Sequence, residues 1–506
     1  MHKPSTTNAR AGPQVFAAAP PAGCRVSKGC MLFSGVIETL VTLVAAFSRT
    51  KETSMRIAPV SAVLVVCLLA PAAPGQAQAP GMPPPGETQA SPAAARVVGR
   101  VLSPEEAIGI ALETQPLIQA RLSDYMAASH RVDQAFAPLL PQITGLWTVA
   151  RTQTAVQQTR IGDPRGPLTV TTIRPGEENT SVRVSLSQVL FDFGKTFAST
   201  DAARRLAEQA QEDVELQRQL ITLTVKESFI NINFARRLIR VQEQALERAD
   251  LNLRSAQGFF EVGTRPKSDV ARAEVDVANA RVDLIRARNA ERLARVALNT
   301  AMGIPVDTPT DVQDNLVFQA MTVDRAQLLS QALAQRPEYK QARLRVDEAD
   351  ARMRRAARDF FPDVVGGGYY GATRSDMNEI WELSLTLSWT IFDGGNRIAR
   401  LRETKASVEA EQARVRATEL DIAREVEQAQ LIVTESQERI GAAQTAVASA
   451  QENFRLAQGR FDAGVGTILE LTDAQLFLTQ AQNTETAALA EYRIAVARLE
   501  RAIGRR

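Results

Sequence analysis

The sequence predicts a mainly α-helical protein with a smaller transmembrane β part, laid out as a tandem repeat of long helical hairpins. Three observations predict it. The chain says nearly the same thing twice: Phe191-Asp192-Phe193-Gly194 recurs as Phe392-Asp393-Gly394-Gly395, and Ala301-Met302-Gly303 recurs as Ala502-Ile503-Gly504. Gln257-Gly258 with Phe260 and Gly263 likewise recurs as Gln458-Gly459 with Phe461 and Gly464, and all three pairs lie about 201 residues apart. Two very long stretches lack proline, and short segments of alternating polarity precede each of them. A duplication of this length implies two equivalent units packed side by side.

Upstream, Ala111-Leu112 with Pro116 matches Ala332-Leu333 with Pro337, and Pro141 matches Pro362, now about 221 residues apart. The first unit therefore carries an extra loop of about 20 residues between Pro141 and Phe191. The units are expected at residues 102–304 and 322–504.

Residues 1–79 read as a presequence. From Met55, Arg56 leads into an apolar run from Val60 to Ala70, and Ala77-Gln78-Ala79 supplies a small-residue cleavage site. The run is too short to span a bilayer, so it reads as a secretory signal peptide. Residues 1–54 are read as an over-extended start of translation. A mature chain beginning before Met55, found by N-terminal sequencing, would refute that. Without residues 1–79 the formal charge falls from +2 to about −3. The basicity thus belongs to the export signal and gives no support for nucleic acid as a partner. Cys24, Cys30 and Cys67 all lie in the presequence, which excludes disulfides and thiolate metal sites from the exported part and suits an oxidising periplasm.

The elements follow in order. Residues 80–101 form a Pro-rich linker. Ser103-Pro104-Glu105-Glu106 opens the first helix, with Ser103 as cap, Pro104 at the first position and Glu106 completing a capping box. Asp324 with Gln327 does the same in the second unit. Each opening helix is expected to run to Pro141 or Pro362, where the preceding residue turns extended. Beyond these prolines the period switches to two. Trp381, Leu383, Leu385, Leu387, Trp389 and Ile391 alternate with Glu382, Ser384, Thr386, Ser388 and Thr390; Val182, Val184 and Leu186 alternate with Ser181, Arg183, Ser185 and Ser187. Partner strands are expected at Gln142 to Arg151 and at Asp363 to Thr373, the latter weakened by Gly366, Gly367 and Gly368. Each is about 10 residues, the length of a tilted transmembrane strand. Arg151 to Thr180 is expected to be a long extracellular loop. Lys195 to Gly258 and Asn396 to Gly459 then read as helices of roughly 95 Å, the second with Gly441 as the place for a bend. Return helices from Pro266 to Met302 and from Ile468 to Ile503 follow short turns.

A signal peptide together with amphipathic strands places the strands in a bacterial outer membrane. Four strands cannot close a barrel, and an open edge in lipid leaves backbone groups unpaired at several kcal/mol each. Sister copies must complete the sheet, as a dimer, a trimer or a larger ring. At this point the chain resembles the TolC family of outer membrane efflux proteins from Leu102 to Gly504. The resemblance rests on the repeat, the Phe-Asp-x-Gly junctions and the Val262-Gly263-Thr264 turn. It implies a homotrimer whose 12-stranded β-barrel, four strands from each chain, continues into an α-helical periplasmic tunnel. It further implies a periplasmic adaptor (membrane fusion) protein, an inner-membrane pump of the RND or ABC type, and outer-membrane lipid as partners.

Candidate functional residues cluster at the far end of the hairpins. The turns Val262-Gly263-Thr264 and Ala463-Gly464-Val465 are the expected tips; the resemblance implies that they dock the adaptor, although the second departs from the family pattern. Asp269, Glu470 and Asp473 lie just inside the tips, with the last two on one helix face. They match the positions where similar proteins place acidic rings at a pore constriction, favouring cations. Family members tie that aperture shut with a tyrosine and an arginine. The matching positions here, Phe461 and Gly466, supply neither donor, so Arg265 is the candidate gate contact. Trp381 and Trp389 read as membrane-interface anchors.

Enzymatic function finds no support: His130 is the sole histidine after residue 79, and no phosphate loop or dinucleotide turn is present. No cofactor is expected. The rival reading is a non-conducting periplasmic coiled-coil scaffold or adhesin, which fits the helices but not the export signal and strands.

Overall fold

The structure, a computed structural model, describes residues 97–152, 155–160, 168–173, 177–320, 325–373 and 378–505, with backbone only between 152 and 179 and at 325–326. The expected presequence, most of the linker and Asp324 lie outside the described residues. No described helix is long and apolar enough to cross a membrane.

The first repeat begins with a two-residue strand β1 (Val101–Leu102), helices α1 (Pro104–Thr114) and α2 (Pro116–Phe136), and a 3-10 turn at Ala137–Leu139. The capping box forms as the sequence predicts: Glu106 N–H donates to Ser103 Oγ at 3.2 Å, and Ser103 N–H donates to Glu106 Oε2 at 3.0 Å. The single opening helix does not. It breaks at Gln115, whose ψ of 118° is extended because Pro116 excludes helical geometry from the residue before it. The second repeat breaks identically at Arg336, before Pro337, into α5 (Arg325–Gln335) and α6 (Pro337–Arg358).

The long helices α3 (Lys195–Glu261) and α7 (Asn396–Asp462) contain 67 residues each, about 100 Å at the usual rise. The second runs unbroken through Gly441. Return helices α4 (Lys267–Met302) and α8 (Ile468–Ala502) fold back along them. Two alanine-rich cores form midway along the hairpins, one around Val225, Phe229, Ile232 and Met302, the other around Ile422, Val426, Tyr492 and Leu499. Here each return helix meets a helix break. Gly303, at φ +71°, approaches Gln115 so closely that an added Cβ would lie 3.1 Å from its Cα. Gly504 does the same against Arg336. In the second repeat this joint is also ionic: buried Arg336 pairs with Glu338 at 2.8 Å and Glu425 at 2.7 Å, and Arg501 reaches both carboxylates. Burial alone would raise the Glu338 carboxyl, but the hydrogen bond and charge of Arg336 outweigh it and hold Glu338 below its ordinary value.

The segment between the repeats returns to the middle of α3 as β6 (Asp311–Val312), paired in parallel with β1. Val97, the first described residue, is fully buried there.

The sheet contains β2 (Gln142–Thr152), β5 (Glu177–Phe191), β7 (Asp363–Thr373) and β8 (Asn378–Ser388), antiparallel throughout in the order β2-β5-β7-β8. The expected loop between Arg151 and Thr180 is corrected: its ends belong to β2 and β5, and a further hairpin, β3 (Ala155–Arg160) with β4 (Leu168–Ile173), lies inside it. The last strand also differs from expectation, ending at Ser388 rather than Ile391. Ser388 pairs with Asp363. The next partner would be Pro362, which has no N–H to continue the ladder. The three glycines of β7 do not interrupt the strand; an added Cβ at Gly368 would sit 2.9 Å from the Glu382 carbonyl oxygen.

Register separates two faces. Ile143, Leu186, Gly368 and Leu383 form one row, and Trp147, Val182 and Ala372 belong to the same side. Apart from Arg151 and Glu379 at its far end, this face is apolar and bare: Ile143 is 72 % and Leu383 85 % exposed. The opposite face carries Thr144, Ser185, Tyr369 and Glu382 in one row. The outer edges of β2 and β8 have no partner among the described residues.

Candidate functional site

The long helices end in twin turns built by the same backbone bonds. At the first, Gly263 (φ +75°) donates to Phe260 O at 2.9 Å and Thr264 N–H to Phe259 O at 2.9 Å; at the second, Gly464 (φ +77°) donates to Phe461 O at 3.0 Å and Val465 N–H to Arg460 O at 3.0 Å. Both are Schellman closures, which need a left-handed residue and so use glycine. Each puts one valine outward: Val262 is 71 % and Val465 72 % exposed. Thr264 and Ala463 are exposed beside them.

Behind the turns an apolar plug of Phe461, Ile468 and Leu471, joined by Phe259 and Phe454, ties the two repeats together. Phe259 meets Phe461 edge to face, ring centroids 5.7 Å apart. Arg265 lies against this plug, its guanidinium 4.3 Å from the Phe461 ring centroid. Its Nη2 donates to the Gly466 carbonyl at 2.6 Å, and its Nη1 stands 3.6 Å from Asp269. Arg265 and Gly466 occupy equivalent places in the two repeats. An added Cβ at Gly466 would sit 2.9 Å from Phe461 N, so the absent side chain keeps this corner tight. The two positions that lack donors thus serve as acceptor and platform for the one arginine.

The three acidic candidates are not alike. Asp269 is mostly covered, with a side-chain exposure of 15 %, and is paired to Arg265. Glu470 is exposed, 3.6 Å from Arg460, and its N–H is capped by Thr467 Oγ1 at 3.2 Å. Asp473 is exposed one turn further along α8. A fourth acid escaped the sequence reading. Asp276 accepts a bond from the Thr472 hydroxyl at 3.0 Å, across the gap between the return helices. Burial pushes its carboxyl up; the Thr472 bond and the Arg272 charge pull it back, and Asp473 adds to the rise. Its signal was its spacing, two helical turns beyond Asp269 on the same face.

At the membrane end, Asp192 and Asp393 of the two Phe-Asp-x-Gly junctions cap the long helices. Asp192 accepts from Gly194 N–H at 2.9 Å and Thr196 N–H at 2.7 Å; Asp393 accepts from Gly395 and Arg397 N–H at 3.2 and 3.0 Å. Lys195 crosses to the other repeat and pairs with Asp363 at 2.8 Å. Trp381 is 71 % exposed on the apolar face. Trp389 is exposed too, but it stands past the end of β8, where its indole N–H donates to Phe360 O at 3.1 Å. The two tryptophans therefore do not share one strand.

An open sheet with an apolar outer face, continued by helical hairpins, defines a membrane channel with a helical extension. A sequence profile of the outer membrane efflux proteins matches residues 107–304 and 328–505, and the chain belongs to that family. It is 25 % identical over 412 residues to the alkaline protease secretion protein AprF of Pseudomonas aeruginosa, covering 77 % of this chain and 82 % of that one. To the outer membrane protein TolC of Vibrio cholerae it is 22 % identical over 411 residues, 78 % and 89 % of the two chains. The outer membrane protein VceC of Vibrio cholerae shares the fold at a TM-score of 0.65 and 17 % identity, covering 79 % of this chain and 96 % of that one. The chain is an outer-membrane exit duct of a Gram-negative envelope, its strands in the membrane and its helices in the periplasm.

Proposed function

We propose that this chain forms a passive homotrimeric duct for a tripartite efflux or type I secretion system, in which 12 strands close the barrel and the helices close a periplasmic tunnel. One observation carries the reading: the four-stranded sheet is bare on its apolar face and, among the described residues, unpaired at both edges. In lipid such edges must be completed, and identical copies complete them with one kind of interface. The exposed Val262 and Val465 tips are the docking points for a periplasmic adaptor, and an inner-membrane RND or ABC pump supplies the energy. Glu470 and Asp473 line the periplasmic aperture, while Asp269 is held back by Arg265. Arg265 acts as the gate contact by fastening the first hairpin to the second. The duct performs no catalysis and needs no cofactor.

Purified from outer membranes in detergent, the protein is expected to run as a trimer and to conduct ions in a planar bilayer. A water-soluble monomer without conductance would end this reading.

A further inference from the structure

The polar face of the sheet carries charges far from the tips. Among its described side chains, Arg183 and Glu382 are the charges midway along the strands; Asp363, at the periplasmic end, is already held by Lys195. The Arg183 guanidinium lies over the Tyr369 ring, 4.6 Å from its centroid, on the neighbouring strand. Tyr369 is directly opposite Glu382 on the strand beyond. The residue opposite Arg183 is Gly371, where an added Cβ would collide with the Val182 carbonyl and sit 3.0 Å from Arg183 Cα. A bare backbone there lets the arginine lie across the strand onto the ring. Its Nε is buried without a hydrogen-bond partner.

We propose that Arg183, Tyr369 and Glu382 form a charge-sorting station inside the barrel, with Arg183 as its specificity-determining residue. The inference rests on the closed-barrel reading above, in which this face lines water. The tyrosine ring holds the guanidinium in place by its π face and leaves N–H groups free for passing anionic groups. Glu382 offers the opposite sign on the next strand but one. Repeated by sister copies, the two signs alternate around the lumen. Cargo of a single sign then meets repulsion beside every attraction, whereas zwitterionic or dipolar cargo can align between them.

A local thiol probe tests this without interference from the tips. Cys24, Cys30 and Cys67 are replaced by serine, and Ser185→Cys places one thiol on the polar face beside Tyr369. Its modification rates by an anionic and a cationic methanethiosulfonate are measured in purified outer membranes. Arg183→Gln is expected to lower the anionic-to-cationic rate ratio about fivefold, the size set by one unit charge within about 10 Å of water. Glu382→Gln should raise the ratio, and Arg183→Lys should leave it near the parent value. Equal ratios in all four proteins, with both reagents reacting, would overturn the station and leave the duct intact. If neither reagent reaches the thiol of Ser185→Cys while both reach that of Leu385→Cys, the face assignment fails, and the closed barrel with it.

Discussion

Arg265 joins three kinds of contact at one point: a carbonyl, a carboxylate and two aromatic rings. Removing it leaves the Gly466 carbonyl without its donor, a loss of about 1–3 kcal/mol. Arg265→Ala is therefore expected to loosen the tip and raise single-channel conductance severalfold in a planar bilayer. An unchanged conductance would show that Arg265 is no gate. Asp276 predicts a pH effect. Its carboxyl is raised in the folded chain, so folding favours its protonated form: that stability is fully present below the unfolded carboxylate value and is lost as pH rises from there through the raised folded value. Asp276→Asn keeps an acceptor for Thr472 and should flatten that dependence, seen in thermal melts between pH 4 and 7. Asp269, Glu470, Asp473 and Arg265, but not Asp276, were readable from their places beside the turns. Their pairing was not, because Gly466 contributes a backbone oxygen and an empty space, and neither has a letter in the sequence.

The elements follow local rules with few exceptions. The strands at 181–187 and 381–388 were readable from period-two alternation, those at 142–151 and 363–373 as their expected partners, and the long helices from their missing prolines. The break at Gln115 obeys the same proline rule that ends each opening helix, yet helical periodicity continues across it and conceals it. The β3–β4 hairpin was hidden for the opposite reason: Ala155–Arg160 has no alternation to mark a strand. The Phe-Asp-x-Gly junctions had a visible motif but an unseen purpose, which is helix capping. Asp192→Ala is expected to cost about 1–2 kcal/mol. Burial raises the Asp192 carboxyl, but its bonds to Thr196 and Gly194 outweigh that and leave it below the ordinary value. Its contribution is thus present above the unfolded carboxylate range and lost as pH falls through the lower folded value. Denaturant titrations of wild type and variant should converge at strongly acid pH.

For the whole molecule, the bare row of Trp381, Leu383, Leu385 and Leu387 is its commitment to lipid. Leu385→Arg would place a charge on that face at a cost of about 2–4 kcal/mol near mid-membrane. Outer-membrane fractions should then contain little assembled protein, while Thr386→Arg on the opposite face should assemble normally. The 67 residues shared by the two long helices carry a different consequence. Both start at the membrane, so their far ends finish level. Deleting one helical turn from a single repeat would stagger those ends by about 5 Å, enough to spoil a flat rim. Heritable changes in duct length must therefore arrive in matched pairs, one in each half of the gene.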